Sequence, residues 1–478
     1  MTVLIAGARR SAAVAAITSA LVVTSSSIPA HAFVSPPIPD IAAAPKDEPP
    51  SPEFPMRQET LCVTGGVLPN SDLAQMPPAA VSLRLDQAHK FSTGAGVTVA
   101  VIDTGVKAQP RLPGMLPGGD YVADGDGFSD CDGHGTIVAG LIGGAGSGTD
   151  GFVGVAPDAQ IMAIRQTSAA FTLDNSASKP DDPKTSRTAV DIRSLARAIV
   201  HAADSGARVI NISVAICTKS SDPGDQTMLG GALKYAVDSK DALVVAAAGD
   251  VGGGGASGGV SNKCASNPDV NHVSSQDPRN WADVEVVSSP SWFDDLVLSV
   301  GFVLPDATRV KESMAGPWVD VAAPGYGIVS LGSGDNSTLI NGMPGKDRSF
   351  VPIVGSSFAA AFVSGTAALL RSRFPELSAH EVVDRIIATA HPPAGGQVDN
   401  VVGHGLIDPL AALTYDMPAG GQRTGTEHTD TLAMPAPDPP PDARPKSTAA
   451  LVAGLVLGLI TALWLIMLLV GISRQPRP

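Results

Sequence analysis

Val97-Thr-Val-Ala-Val-Ile-Asp-Thr-Gly105 joins an apolar run to a carboxylate and a glycine. Its apolar run, Val97–Ile102, predicts a fully buried strand, because a strand with one solvated face would alternate apolar and polar residues. Runs of the same kind recur at Ile161–Ile164, Val209–Ile212 and Leu243–Ala247. Strands of this type are typical of a parallel sheet that is covered on both faces.

Segments with helical spacing lie between these strands, at Thr136–Ile142, Val190–Ala203 and Met228–Val237. Because strand–helix alternation joins parallel strands through crossover helices, we predict the α/β class, with helices on both faces of a mainly parallel central sheet. The first strand ends on Asp103, at the sheet edge where such folds place ligands and catalysts.

The composition of the 478 residues limits the possible classes of protein. Apolar residues make up 44% and aromatic residues 4%, with 51 Gly and 40 Pro, which excludes a coiled coil and a wholly disordered chain. The net charge of −14 argues against nucleic acid as the main partner, because phosphate binding needs a basic surface.

Two apolar segments predict the subcellular location of the protein. Met1–Ala32 has a basic start, an uncharged core and an Ala-His-Ala exit, the pattern of a cleavable secretory signal. Thr448–Ile472 carries no charge and is long enough to span a bilayer. Arg474 and Arg477 follow it and favour a cytoplasmic C-terminus. We therefore expect a single-pass membrane protein whose main body lies outside the cytoplasm, on the periplasmic side.

Four cysteines in an exported chain indicate disulfides rather than free thiols. Of the three possible pairings, we expect Cys62–Cys131 and Cys217–Cys264. A zinc site is the alternative, but the sequence lacks CxxC or HxxxH spacing, so we expect no metal.

Three short motifs carry residues that belong to one chemistry. Asp103 ends the first strand, His134 stands in Asp-Gly-His-Gly-Thr, and Ser357 opens an apolar helix in Gly-Ser-Ser-Phe-Ala. Taken singly, each residue also has a non-catalytic interpretation. Asp103 could be a turn carboxylate, His134 a solvated imidazole and Ser357 a helix N-cap. Together they supply the carboxylate, base and nucleophile that activate a serine hydroxyl.

The motifs and their order, Asp then His then Ser, resemble those of the subtilases, the subtilisin-like serine proteases of peptidase family S8. The resemblance is greatest to the mycosins, membrane-anchored subtilases of type VII (ESX) secretion systems. It rests on Gly94-Ala-Gly-Val-Thr-Val-Ala-Val-Ile-Asp-Thr-Gly-Val106, Pro113-Gly-Met-Leu-Pro-Gly-Gly-Asp-Tyr121 and Cys131-Asp-Gly-His-Gly-Thr136. It implies a subtilisin-like three-layer αβα fold, with Asp103 as orienting acid, His134 as general base and Ser357 as nucleophile.

Further matches to this family concern substrate binding. One strand resembles the segment that pairs with an extended substrate, which implies Ser213, Val214 and Ala215 as binding residues. Ala248 and Gly249 match the opposite wall of the primary specificity pocket. An extended peptide would then bind as an added strand. The resemblance implies no cofactor.

Asp250 departs from the family pattern, because subtilases usually carry Asn there as a donor to the oxyanion. An ionised Asp accepts hydrogen bonds only. Three alternatives follow: Asp250 is protonated and donates, it points elsewhere while other donors suffice, or the enzyme is slow and narrowly specific. We favour the last.

The resemblance also divides the chain into segments. They are a signal peptide (1–32), an N-terminal extension that wraps the protease (33–80), a subtilisin-like peptidase domain (81–415), a Pro-rich linker (416–447), a transmembrane helix (448–472) and a cytoplasmic tail (473–478). The extension is too short for a usual pro-domain, and we expect it to stay attached without blocking the site, with Cys62 clamped to Cys131. We expect the acids between Asp120 and Asp132 to form a solvated loop rather than a calcium site.

Two functions remain open at this point. The first is a membrane-anchored, extracytoplasmic serine endopeptidase that cleaves a protein or peptide substrate, slowly and with narrow specificity. The alternative is a structural subunit that stabilises the secretion membrane complex, with catalysis secondary. The partners expected are the substrate, the membrane and other subunits of that complex.

Overall fold

The architecture is that of a computed structural model, which describes residues 34–174, 183–252, 264–269, 277–334, 338–345, 347, 349–393, 398–416 and 444–472. The strands are β1 (Met56–Gln58), β2 (Thr98–Asp103), β3 (Leu116–Asp120), β4 (Gln160–Arg165), β5 (Phe171–Leu173), β6 (Val209–Ile212), β7 (Ile216–Lys219), β8 (Leu243–Ala247), β9 (Val286–Ser289), β10 (Val297–Val303), β11 (Val319–Pro324), β12 (Ser330–Leu331), β13 (Leu339–Ile340), β14 (Gly342–Pro344) and β15 (Phe350–Pro352). The helices are α1 (Pro78–Ser82), α2 (Leu85–Ala88), α3 (His134–Gly143), α4 (Arg187–Asp204), α5 (Thr227–Lys234), α6 (Ser356–Arg373), α7 (Ala379–Thr389), α8 (Pro409–Thr414) and α9 (Arg444–Ile472).

Within these residues, a seven-stranded sheet in the order β11-β10-β8-β6-β2-β4-β3 forms the centre of the protein. All of its neighbouring strands are parallel. The four strands predicted from apolar runs are β2, β4, β6 and β8, and they lie side by side. Their buried side chains confirm the prediction of an α/β fold around a parallel sheet.

The three predicted helices are α3, α4 and α5, and α5 continues into a π-helical turn at Tyr235–Ser239. Helix α3 packs against α6, and α4 packs against α5, which gives a helical layer on each side of the sheet. Helix α6 is buried from Ser356 to Arg371, which its small residues make possible. A Cβ at Gly365 would lie 2.4 Å from Val155, so only glycine allows this packing.

The described part of the N-terminal extension lies along the peptidase domain in extended segments. β1 pairs antiparallel with β5, and Glu53 forms an ion pair with Arg193 of α4. Both predicted disulfides are present. Cys62–Cys131 joins the extension to the loop before α3, and Cys217–Cys264 joins β7 to a segment that follows β8.

Residues 444–472 form a separate unit from the body of the chain, and their backbone is helical. Among the described residues, no helix has both the length and the apolar character needed to cross a membrane. The transmembrane helix at 448–472 therefore stays a prediction. The predicted signal peptide (1–32), the linker from 417 to 443 and the tail (473–478) lie outside the described residues.

Candidate active site

The carboxyl edge of the central sheet brings several of the predicted residues together. Asp103 ends β2, Ser213 follows β6, and Ala248 follows β8. Because these strands are parallel neighbours, their ends meet at one edge of the sheet. His134 begins α3, and Ser357 lies in the first turn of α6.

Asp103 and His134 form a buried pair at this edge. The Nδ1 of His134 lies 2.7 Å from Oδ1 of Asp103, and both side chains are almost inaccessible to solvent. Burial lowers the pKa of His134, but the charge and hydrogen bond of Asp103 outweigh burial, so the net pKa is raised. The bond to Nδ1 leaves Nε2 as the nitrogen available to take a proton.

Asp130 anchors the two loops that carry this pair, a role that the sequence did not reveal. Its carboxylate accepts hydrogen bonds from the Thr104 hydroxyl (2.9 Å), the Gly133 N–H (2.8 Å) and the Thr136 hydroxyl (2.5 Å). It therefore ties the residue after Asp103 to the start of α3. Burial is the main cause that raises the pKa of Asp130 to about 6. Its position four residues before His134 was the available signal.

The Ser357 hydroxyl faces Ser213 in this structure. Its Oγ donates a 2.7 Å hydrogen bond to the Ser213 carbonyl oxygen. The ring of Phe358, the next residue, packs 5.2 Å from the His134 ring. The Asp103–His134 pair is thus assembled, while the Ser357 hydroxyl is held by the Ser213 carbonyl.

A buried polar chain holds Ser213 in place, and the sequence reasoning missed two of its members. Ser364 donates to Asn211 (2.8 Å), and the Asn211 amide donates to the Ser213 hydroxyl (2.7 Å). That hydroxyl in turn donates to the carbonyl of Ser357 (3.2 Å). This chain fixes β6 to α6, because the buried groups satisfy one another. Asn211 is the one polar residue in the apolar run Val209–Ile212, which is the signal that could have identified it.

The residues predicted for the specificity pocket lie close together. Val214 is buried beside Ser213, and Ala215 and Ala248 belong to one apolar cluster with Met314. Gly249 has φ +115°, and a Cβ there would lie 3.0 Å from the Met314 sulfur. The backbone at 249 therefore requires glycine.

Asp250 is buried and turned towards the start of α6. Its Oδ1 accepts the Ser356 N–H at 2.9 Å, and the Gly249 N–H donates to the Ser356 hydroxyl at 3.3 Å. Burial raises the pKa of Asp250, and the hydrogen bonds from Ser356 and the charge of His134 only partly oppose it. The carboxyl group thus caps the N-terminus of α6.

The acids between Asp120 and Asp132 do not form the solvated loop that we expected. Asp120 is buried against Arg165 (3.2 Å), and Asp132 accepts the Ser168 hydroxyl (2.5 Å). Only Asp124 and Asp126 are exposed. The partners of the buried acids lie far along the chain, so the local spacing gave no sign of them. Across the described ranges, no cluster of three or more metal-ligating side chains occurs.

Comparison with known proteins identifies the family. Residues 94–405 match the model of the subtilase family, peptidase S8. Mycosin-1 of Mycobacterium tuberculosis is 50% identical over 405 residues, which cover 84% of this chain and 87% of the relative. Mycosin-1 of Mycolicibacterium smegmatis is 48% identical, with 85% and 88% covered.

Solved structures agree with this match. The serine protease MycP1, described as an essential component of the type VII (ESX-1) secretion system, superposes with a TM-score of 0.75. It is 50% identical, and the match covers 80% of this chain and all of that one. A chain of an intact ESX-5 inner membrane complex gives a TM-score of 0.76 at 43% identity, with 92% of this chain and all of that chain covered. The chain therefore belongs to the subtilase family of serine proteases, among the mycosins.

Proposed function

We propose that this protein is a serine endopeptidase in which Asp103, His134 and Ser357 act as the catalytic triad. The observation that supports this best is the buried 2.7 Å contact between Asp103 and His134 at the same sheet edge as Ser357. Rotation of the Ser357 side chain brings its Oγ towards Nε2 of His134. The imidazole then takes the hydroxyl proton as Oγ attacks the peptide carbonyl, and later returns it to the leaving amine.

The substrate binds, in this proposal, as an extended strand beside Ser213, Val214 and Ala215. Its backbone N–H and C=O groups pair with those of this segment, which supplies affinity without selecting a sequence. The Ser357 N–H at the start of α6 is the donor proposed for the developing oxyanion, where the helix dipole favours negative charge, since the Ser356 N–H is bonded to Asp250. Selection then comes from the small pocket between Ala215 and Ala248.

The proposed location rests on the sequence of segment 448–472 and on the likeness to solved structures. We propose that segment 448–472 anchors it in the cell membrane as a single span, with the peptidase domain on the periplasmic side and the C-terminus in the cytoplasm. The uncharged sequence of this segment supports a span. The match to an ESX-5 inner membrane complex supports association with type VII secretion.

Labelling with a serine-directed fluorophosphonate tests the proposed chemistry. We expect the full-length protein to be labelled at one serine, and Ser357→Ala to abolish the label, because only an activated hydroxyl attacks the phosphorus. Ser372→Ala is the matched control, since Ser372 lies at the C-terminal end of the same helix and donates to the Ala95 carbonyl. Labelling that survives Ser357→Ala, or is absent from the folded wild type, would contradict the proposal.

The second candidate, a structural subunit of the secretion complex, is favoured by the likeness to a chain of an assembled inner membrane complex. Comparing Ser357→Ala with deletion of the whole chain separates the two functions. If assembly of the complex and secretion depend on the folded domain, Ser357→Ala should preserve both, while deletion abolishes them. Secretion lost equally in both strains would show that proteolysis is the essential role.

A further inference from the structure

A strip of exposed apolar side chains lies beside the loop that leads into α3 and His134, which we call the His134 loop. Leu61, Val63 and Val67 come from the N-terminal extension, and Phe350 comes from β15. Leu61 is 88% exposed, and the other three are 37–43% exposed. Exposed apolar side chains grouped in this way mark binding surfaces more often than scattered ones do. We call these four residues the apolar rim.

The rim is fixed to the active-site loop by several bonds. Cys62 is disulfide-bonded to Cys131, and the Val63 N–H donates to the Cys131 carbonyl at 2.9 Å. A Cβ on Gly133, the residue before His134, would lie 3.8 Å from the Val63 carbonyl oxygen. The extension therefore runs directly along the side of the catalytic loop.

The rim is also continuous with the hairpin of β14 and β15. Gly66 pairs with Gly342. The Phe350 ring packs closely on Gly66, since a Cβ at Gly66 would lie 2.3 Å from the ring. The rim thus extends from the His134 loop to the hairpin that leads into α6. The backbone that carries these side chains is paired and cross-linked, so its course is set before any ligand arrives.

We propose that the apolar rim binds apolar side chains of the substrate polypeptide next to the scissile bond, so that the extension contributes to substrate specificity. This inference rests on the proposed protease function. A substrate chain that reaches Ser357 passes the His134 loop, and the rim lies along that loop. The four rim side chains are aliphatic or aromatic, so they favour Leu, Val or Phe in the passing segment over charged residues.

Protection from fluorophosphonate labelling tests this proposal without requiring cleavage. The probes are two peptides of one length, a Leu/Val-rich sequence and a version with Ser and Thr in place of Leu and Val. We expect the apolar peptide to slow labelling of the wild type more strongly. In Leu61→Ser/Phe350→Ser its affinity should fall by about tenfold, while that of the polar peptide stays the same. Leu61→Ser alone should give part of this loss.

Phe91→Ser is the matched control. Phe91 is 41% exposed, as Phe350 is, but it packs on Arg373 at the far end of α6, about 25 Å from Ser357 along an 18-residue helix. Both affinities should be unchanged in this variant.

Three results would overturn the rim proposal. They are an equal loss for both peptides, no loss for either, and conversion of a dimer to a monomer by the rim substitutions, which would make a second copy the occupant. In each case labelling of the wild type would persist, so the proposed function would stand. Absence of wild-type labelling would instead refute the proposed function.

Discussion

Asp103→Asn should lower kcat by about 10⁴-fold while leaving the protein folded. The carboxylate Oδ1 lies 2.7 Å from Nδ1 of His134 and also accepts the Thr104 N–H at 2.7 Å. An amide places either its oxygen or its NH₂ group where Oδ1 lies. The oxygen would keep both bonds but without the negative charge that stabilises the imidazolium, whereas the NH₂ group would lose the Thr104 bond and donate to Nδ1. That arrangement selects the tautomer with hydrogen on Nε2, which cannot take a proton from Ser357. Steady-state cleavage of a fluorogenic peptide and the fluorophosphonate labelling rate both measure the loss.

The pH profile of Asp103→Asn distinguishes this mechanism from simple damage. Asp103 raises the pKa of His134 against the opposing effect of burial. A raised pKa means that the imidazole stays protonated, and useless as a base, to higher pH. Loss of the carboxylate charge therefore should move the acid limb of kcat/KM to lower pH. An acid limb that stays in place would count against His134 as the general base.

Asp132→Asn is the matched control for Asp103→Asn. Asp132 is buried two residues before His134, but its carboxylate bonds Ser168 and Ala169 rather than the ring. Its negative charge also helps to raise the pKa of His134. We expect a small shift of the acid limb and little loss of kcat. A loss as large as that of Asp103→Asn would mean that the local field, not the orientation of the ring, dominates.

The sequence predicts the four central strands of the sheet because burial on both faces requires continuous apolar runs, and such runs can be recognised in the sequence. The order β8-β6-β2-β4 along the sheet was not predicted, because the connections between these strands are long and the apolar runs do not show which strands pair. β1 could not be predicted, because Met56–Gln58 has no strand pattern and its pairing with β5 depends on a segment far along the chain. Strands of this kind are defined by their partners rather than by their own residues.

The candidate site likewise contains residues that local sequence predicts and residues whose roles depend on distant partners. Motifs identified Asp103, His134 and Ser357 because each chemistry needs one residue type in a particular local setting. They did not identify Asp130 or Ser364, whose roles depend on hydrogen-bond partners that only the folded chain brings near. The motifs also could not show that the Ser357 hydroxyl faces the Ser213 carbonyl, because a sequence motif does not determine a side-chain rotamer.

Asp250→Asn should raise kcat at pH 8 by about 10²-fold, because a single oxyanion donor is worth about 10²–10³ in turnover. In this structure Oδ1 of Asp250 accepts the Ser356 N–H, and Oδ2 lies above Gly355. An asparagine can keep the first contact through its carbonyl oxygen and place an NH₂ group where Oδ2 lies. A group that only accepts hydrogen bonds when ionised is thereby replaced by a permanent donor.

The pH dependence gives Asp250→Asn its sharpest test. Burial raises the pKa of Asp250, so its protonated, donating form persists to higher pH than in an exposed aspartate, but it declines as pH rises. His134 needs the opposite change, because only its neutral form is a base. The wild type should therefore be most active in the pH range where both conditions are partly met. The ratio of variant to wild-type kcat should consequently grow with pH. Asp250→Ala is the control, because it removes the same charge without adding a donor. A rise in kcat in both variants would assign the effect to charge alone. No rise in either variant would show that Asp250 serves only to cap α6.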